Sequence, residues 1–229
     1  MFLGEIMKYS ISTMPILQRF NGNTYCALCD IKKTTDDQLV DQFLDEAVME
    51  DHIRAKVNKL GFCEKHFDKL FEGQSKLGLA LQYHTRLATI SKKVAPIDNA
   101  KKAKKQAEEL KQATSTCIIC EMLEDHMSRY EETVCKMYSA EESFRNLLPK
   151  EKGICLNHYV NLLDQCAKAG KYADSLVKTL NDIQRKDINI LSDEIRAFCD
   201  RFDYRNAGKP LGEEKFALAK TRIKFYGRK

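Results

Sequence analysis

The sequence contains no run of about 18 apolar residues, so it offers no helix suited to span a bilayer, and no membrane insertion is expected. Residues 1–20 lack a basic start followed by an apolar block, so no secretory signal is expected and the cytoplasm is the expected compartment. There are only four prolines and ten glycines in 229 residues, which leaves long stretches free of helix breakers. No Gly-rich phosphate loop, Ser–His–Asp arrangement or catalytic pair of carboxylates stands out, so no catalytic residue is assigned and enzymatic activity is not the expected role. A strong charge imbalance is missing as well. The formal net charge is +5, modest for a nucleic-acid binder.

What the chain does have is nine cysteines, and in a cytoplasmic protein these argue for metal ligation or reduced thiols rather than disulfides. Eight residues form one pattern written twice. Cys26-Ala27-Leu28-Cys29 is followed by Gly61-Phe62-Cys63-Glu64-Lys65-His66, and Cys117-Ile118-Ile119-Cys120 by Gly153-Ile154-Cys155-Leu156-Asn157-His158. Corresponding residues lie 91 positions apart in the first pair and 92 in the second. Three thiols and an imidazole suit the tetrahedral nitrogen–sulfur preference of zinc, so two Zn2+ per chain are expected. The histidine in each set argues against an iron–sulfur cluster. A thioredoxin-like reading needs a strand before each C-x2-C, and neither pair has one. Four protein donors fill a tetrahedral zinc, so the sites read as structural rather than catalytic. With both filled, each at a net charge of −1, the +5 falls to +3.

The ligands of one ion can come from one repeat or from both. Closing a loop of about 34 residues costs less chain entropy than closing one of about 130, which favours sites within each repeat.

The fold class expected is all-α: two duplicated helical repeats, each with a zinc-knuckle-like Cys3His site at the base of a helical hairpin, and a C-terminal helix. The divisions expected are an N-terminal arm over 1–24, repeat 1 over 25–95, a basic linker or helix over 96–113, repeat 2 over 114–202 and a C-terminal segment over 203–229. Leu39, Val40, Phe43, Leu44, Ala47 and Val48 fall at three- and four-residue spacing, one buried stripe. Thr34 with Asp37 reads as the capping pair of that helix, and the chain is expected to reverse near Met49–Asp51. In repeat 2, Ser139-Ala140-Glu141-Glu142 reads as a capping box opening a new helix after a stripe of Met122, Tyr130, Val134, Met137 and Tyr138. Longer helices are expected over about Ser75–Val94 and Lys171–Phe202, and a last one from Glu213 to about Phe225.

Other residues carry weaker signals. Cys135, Cys166 and Cys199 lack partners at ligand spacing and read as small buried core residues. His52 and His126, beside acidic residues, read as solvated helix positions, and His84 as a buried or half-buried histidine. His84, with Asp203, Tyr204 and Arg205 where a long helix ends, forms the candidate recognition set. Five lysines in residues 101–112, against two glutamates, and a basic tail suit phosphate contact, although the glutamates also fit a plain solvated face.

Met49-Glu50-Asp51, the stretch from Asn58 to His66, Lys76-Leu77-Gly78-Leu79-Ala80-Leu81 and Phe202-Asp203-Tyr204-Arg205-Asn206 together resemble a bacterial family of unknown function. Its members share the twofold C-x2-C … G-[FI]-C-x2-H pattern, and the resemblance covers nearly the whole chain. Some relatives carry a label as the substrate-binding part of an ABC transporter. This sequence, without an export signal, lipobox cysteine or two-lobed α/β pattern, does not support that label. The resemblance implies no established activity. The role expected is a non-enzymatic, intracellular, zinc-stabilised module for a protein partner. The alternatives are a thiol or zinc redox sensor, a nucleic-acid binder using the linker and tail, and an enzyme with a cleft between the repeats.

Overall fold

The computed structural model describes Tyr9, residues 11–203, Arg205 and residues 212–228, except for the side chains of Glu46 and Ala47. Helix is the only regular secondary structure among the described residues, as the scarcity of breakers predicts. The helices are α1 (Met14–Arg19), α2 (Ala27–Leu44), α3 (Asp51–Leu60), α4 (Glu64–Glu72), α5 (Lys76–Ser91), α6 (Ala100–Thr114), α7 (Ile118–Ala140), α8 (Glu142–Leu147), α9 (Leu156–Gln165), α10 (Ala173–Asp200) and α11 (Ala217–Tyr226). The order long helix, short helix, helix behind C-x2-H, further helix occurs twice, as α2–α5 and as α7–α10.

The chain gathers into two compact units that do not follow this order. One holds residues 34–126, and the other combines residues 1–33 with 127–229. The boundaries fall inside α2 and inside α7.

In the 34–126 unit the stripe of Leu39, Val40, Phe43, Leu44 and Val48 is buried as its spacing predicts; Ala47, in the same stripe, lies outside the described side chains. Phe43 packs edge-on against Phe62, ring centroids 5.5 Å apart. A short 3-10 turn at Glu46–Met49 separates α2 from α3 and meets the reversal expected near Met49–Asp51 at its last residue. Thr34 and Asp37 do not cap α2, because the helix already starts at Ala27. Ser75 does cap α5, its hydroxyl accepting from the Gly78 amide, and Asn99 caps α6 through the Lys102 amide. The 101–112 lysines are therefore helical, and all five are exposed.

In the other unit Phe20 meets Phe144 edge-on at 5.5 Å. Ile16, Val134, Met137, Leu148, Leu162, Leu176 and Leu180 are fully buried around them. A new helix does begin at Glu142, but not by the expected capping box. Ser139 lies inside α7, and Glu141 at the cap position makes no side-chain cap bond. Leu176, Leu180, Ile183, Asp187 and Leu191 line the buried face of α10, so this helix buries a carboxylate within an apolar stripe. Of the three cysteines expected in the core, Cys135 is buried, Cys166 half-buried and Cys199 exposed.

Candidate metal centres

Each ligand pair sits where a helix begins. Cys26 precedes α2 and its carbonyl accepts from the Cys29 amide at 3.1 Å, a tight turn that aims both sulfurs the same way. Cys117 precedes α7 in the same manner. Cys63 and Cys155 are the N-cap residues of α4 and α9, with His66 and His158 one turn further on. Helix N-termini carry positive partial charge, which favours the thiolate over the thiol at all these positions.

The donors converge in two groups. The first centre is Cys26, Cys29, Cys155 and His158. The second is Cys63, His66, Cys117 and Cys120. Within each group the ligand atoms lie within 4.8 Å of one another. Both groups therefore take their C-x2-C from one repeat and their C-x2-H from the other, and the expectation of within-repeat sites is corrected. The reason is stiffness. Loop-closure entropy assumes a flexible chain, but α2 carries the chain ~22 Å beyond Cys29, and 10-residue α3 is only ~15 Å long. In the second copy 23-residue α7 advances ~35 Å and 6-residue α8 recovers ~9 Å. Neither hairpin closes on its own C-x2-C. Each centre instead lies wholly within one compact unit: the first in 1–33 with 127–229, the second in 34–126.

The donor spacings match a tetrahedral ion. Bonds of ~2.3 Å to sulfur and ~2.0–2.1 Å to nitrogen place two sulfurs about 3.8 Å apart and a sulfur and nitrogen about 3.5 Å apart. Cys29 and Cys155 sulfurs are 3.6 Å apart, and those of Cys63 and Cys120 are 3.7 Å apart. His158 Nδ1 lies 3.5, 3.6 and 3.2 Å from the sulfurs of Cys26, Cys29 and Cys155. His66 Nδ1 lies 3.2, 3.2 and 3.3 Å from those of Cys63, Cys117 and Cys120. All eight groups are at van der Waals or hydrogen-bonding range, and none of the six cysteines forms a disulfide.

Electrostatics point the same way. Without a cation, four such groups cannot all take their ligating forms. At the second centre burial pushes the Cys117 thiol up, but His66 and the backbone bonds from Cys63 and Cys120 together outweigh it and bring the pKa down to about 6; burial and the Cys117 charge then push Cys120 up to about 12. At the first centre Cys155 is driven well below the ordinary thiol range and Cys26 well above it, each mainly through the neighbouring sulfurs. Burial alone would lower His158, yet the Cys155 and Cys29 sulfurs hold it up to about 9. A divalent cation removes this conflict by letting all the thiols ionise.

Residues outside the motifs position the ligands. At the second centre Asp36 Oδ1 lies 2.7 Å from His66 Nε2, which leaves Nδ1 facing the sulfurs. Lys65 and Lys69 both donate to the other Asp36 oxygen at 2.9 Å. Burial works against the Asp36 charge, but these three donors hold its carboxyl well below the usual range. The turn into Cys63 is fixed by Gly61, at φ +68° a conformation that disfavours any side chain. Its carbonyl accepts from the Ile118 amide at 3.0 Å, and Thr116 Oγ1 donates to the Leu60 carbonyl at 2.8 Å. Arg86, buried, donates to the carbonyls of Asn58, Lys59 and Ala113, gathering the ends of α3 and α6 beside the centre.

At the first centre Asp187 takes this organising part. Its Oδ2 accepts from Tyr25, next to Cys26, at 2.8 Å and from buried Lys224 at 2.5 Å; Lys224 also donates to the Ile154 carbonyl at 3.1 Å. Gly153 is required for a different reason from Gly61: a Cβ there would come within 2.6 Å of the Asp187 carboxylate. The end of α11 covers the sulfurs. The Arg228 amide lies 3.4 Å from Cys29 Sγ, and its guanidinium is 2.5 Å from Asp30 Oδ1.

Asp36, Asp187, Lys224 and Arg86 were not singled out by motif reading. A usable signal was present for the two aspartates. Asp36 lies four residues before Val40 and Asp187 four before Leu191, so each is an acid on an otherwise apolar helical face, where a charge needs partners.

The recognition set is divided between the two units. His84 is exposed on α5, contrary to its expected burial, and belongs to the 34–126 unit. Asp203 and Arg205 belong to the other unit and bond to one another, Nη2 to Oδ2 at 2.5 Å, while Tyr204 lies outside the described residues. His52 is exposed beside Glu50, as its setting predicts, and His126 is half-buried.

None of the described helices is long and apolar enough to cross a membrane. No solved structure matches the chain. It is similar, at 24% identity over 189 residues, to an uncharacterized 23.9 kDa protein in the xynA 3' region of Caldicellulosiruptor sp. (strain Rt8B.4); the match covers 76% of this chain and 90% of that protein. The sequence model of a family of unknown function (DUF6062) matches residues 7–229, with the duplicated ligand motifs inside the match, and the chain belongs to that family.

Proposed function

We propose that the chain is an intracellular, non-enzymatic helical module that holds two structural zinc ions and presents its surface to a protein partner. Cys26, Cys29, Cys155 and His158 hold one ion, and Cys63, His66, Cys117 and Cys120 the other. The observation that carries this reading is the match between donor spacings and tetrahedral zinc geometry at both centres. Four protein donors leave no open position for water, which separates these centres from catalytic zinc. The donor set excludes the oxygen-seeking ions and suits zinc through its softness. Elemental analysis of dialysed protein should give two zinc per chain, and EDTA should remove helicity. Protein that lacks zinc and keeps its fold in EDTA would overturn the reading. Affinity purification at native expression, with and without nuclease, identifies the class of partner.

Three cations of the basic tail are already engaged, Lys220 with Glu194, Lys224 with Asp187 and Arg228 with Asp30, which weakens the tail as a phosphate-binding surface. That disfavours the nucleic-acid reading, which is left with the exposed α6 lysines and exposed Arg222.

A second reading, a thiol sensor, is favoured by one observation. Cys120 is exposed and Cys63 half-exposed, with their sulfurs 3.7 Å apart. Two zinc-bound thiolates there can give two electrons to hydrogen peroxide and take up two protons with it, yielding a disulfide, two waters and free zinc. Zinc release at mild peroxide supports this; release only on denaturation removes it.

A further inference from the structure

The unit formed by 1–33 and 127–229 carries a helical hairpin whose two sides differ. α10 and α11 run antiparallel, since Asp187 meets Lys224, Glu194 meets Lys220 and Arg201 meets Glu214. Positions 187, 194 and 201 recur every seven residues, so these ion pairs lie along one side of the helix contact. The other side is apolar and open. Ile188 and Ile195 of α10 are also seven residues apart, and Phe202, just past its end, is seven further on. Leu218 and Phe225 of α11 repeat the spacing. Ile188, Phe225, Leu218 and Phe202 are 45, 53, 58 and 80% exposed, so both rows lack a covering element.

Between the rows lies a groove of ≈ 250 Å³ whose walls include Leu156, Leu191, Ile195, Thr221 and Phe225. No carboxylate lines it, and the one cation in its wall, Lys224, has its ammonium on Asp187 and the Ile154 carbonyl. At ~30 Å³ for a water-sized group, the groove takes roughly eight non-hydrogen atoms, the side chains of two leucines. Apolar residues at seven-residue spacing on two adjacent helices form the seam against which a further helix packs at about 20°.

The charge around the groove decides what that helix carries. Arg196 and Arg222 each follow a groove-lining residue, and Arg185 lies one turn before Ile188. All three are exposed and have no carboxylate partner among the described residues. Asp193 and Asp200 lie two residues before Ile195 and Phe202. Two residues are about 200° of helical turn, so both acids sit on the far face of α10. The border of the groove is therefore cationic. A second copy of this surface would bring arginines against arginines, which disfavours self-association.

We infer that this groove docks an amphipathic helix of another protein. Apolar residues at heptad spacing on that helix face Ile188, Ile195, Leu218 and Phe225, and acidic residues on its flanks meet Arg185, Arg196 and Arg222. The inference rests on the reading of a protein partner given above and supplies that partner's chemistry. Burial of the apolar row holds the helix, and the acidic flanks select it over a basic one.

The test is fluorescence anisotropy of the full-length protein, with its metals as purified, against two labelled three-heptad peptides. Both carry leucine at a and d; one has glutamate at e and g, the other lysine. The glutamate peptide should bind at one per chain, about tenfold or more tighter than the lysine peptide. Leu218→Glu/Phe225→Glu should weaken that binding at least about tenfold. Arg196→Glu/Arg222→Glu, both at exposed positions, should remove the preference between the peptides, with metal content and circular dichroism unchanged. If Leu218→Glu/Phe225→Glu loses helicity, the arginine variant decides. Both variants keep the α6 lysines, so attraction of the peptide to those lysines alone would leave them binding like the parent. The proposal is overturned by that result, by a glutamate peptide that does not saturate at about 0.1 mM, or by equal binding of the two peptides. It is also overturned if the parent sediments as a dimer that Leu218→Glu/Phe225→Glu dissociates, because a second copy then fills the groove. Affinity purification separates this proposal from the reading beneath it. If Leu218→Glu/Phe225→Glu protein recovers the same partner as the parent, this surface is overturned and the protein-partner reading stands. If the parent recovers no protein, both fall.

Discussion

The two centres share a ligand set and differ in what surrounds it. Every ligand of the first is buried, and the backbone at Arg228 closes over Cys29. The second leaves Cys120 exposed and Cys63 half-exposed, but grips its histidine through Asp36, itself held by two lysines. The first is thus protected by exclusion of solvent and the second by orientation of a ligand. Exclusion slows any competing thiol, chelator or oxidant, whereas orientation raises affinity without blocking access. Affinity and exchange rate are therefore separate properties here, and a single chain offers both combinations for comparison.

The largest expected effect separates the centres as parts of the fold. Zinc contributes on the order of 10–16 kcal/mol of apparent binding energy to small structural sites, comparable to a whole domain's stability of about 5–15 kcal/mol. Cys155→Ser leaves a buried centre, with no route for water to replace the lost thiolate, and should yield protein without cooperative unfolding in that unit. Cys120→Ser loses a ligand at the surface, where water can take the vacated position. It should stay folded with a lower Tm and weaker second-site binding. Circular dichroism melts with zinc analysis decide this, and equal collapse of both variants would erase the proposed difference.

Metal removal sharpens the comparison in time. Excess chelator with a colorimetric zinc readout should release one equivalent quickly and the other slowly, and mild peroxide should release only the quick one. In Cys63→Ser and Cys120→Ser protein the quick phase should become faster or smaller while the slow one keeps its rate. A single phase of two equivalents would show that burial of the first centre confers no protection.

Asp36→Asn tests orientation. Loss of a carboxylate behind a ligating histidine typically costs about 10- to 100-fold in metal affinity, and only the second centre should feel it. The pH dependence has a definite sign. In metal-free protein burial lowers His66, but Asp36 and the Cys117 sulfur together more than reverse this, holding its pKa up to about 9. A raised folded pKa means stability fully present below ~6.5 and lost as pH rises through about 9. Zinc requires the neutral imidazole, so its affinity rises over the same span. Apo stability and zinc affinity should therefore move in opposite directions between those limits, and Asp36→Asn should lessen the slope of the first, leaving the part due to Cys117. Urea melts of apo protein at several pH values provide the measurement.

How much of this was legible in the sequence follows from what each signal encodes. Periodicity located the buried stripe at Leu39–Val48 and the helices around α5, α10 and α11, because side-chain spacing is a local property. The eight residues that converge in two groups were legible because ligand chemistry restricts residue type and C-x2-C and C-x2-H spacing. Their partition was not. It depends on the difference in length between α2 and α3 and between α7 and α8, and helix ends are the least certain part of a sequence reading. The caps at Thr34 and Ser139 failed for the same reason: both residues satisfy the pattern, yet the neighbouring helices simply run through them. Arg86 and Lys224 act over 27 and 70 positions on backbone carbonyls, which carry no sequence signature at all.

The smallest expected effect concerns the cover over the first centre. Deleting residues 227–229 removes two contacts at once: the Arg228 amide facing Cys29 Sγ and the guanidinium bond to Asp30. Arg228→Ala removes only the second. Its guanidinium is half-exposed, so that ion pair should contribute about 1 kcal/mol or less. A hydrogen bond to a charged acceptor contributes more, about 1.5–3 kcal/mol, and a thiolate on zinc retains much of its charge. The deletion should therefore lower Tm by a few degrees and speed the slow zinc phase several-fold, while Arg228→Ala should leave that phase nearly unchanged. If Arg228→Ala alone accelerates release as much as the deletion, the side chain is the barrier and the backbone amide is incidental. If neither does, burial by α2 and α9 suffices, and the contrast between the centres rests on the exposure of Cys120 rather than on the closing tail.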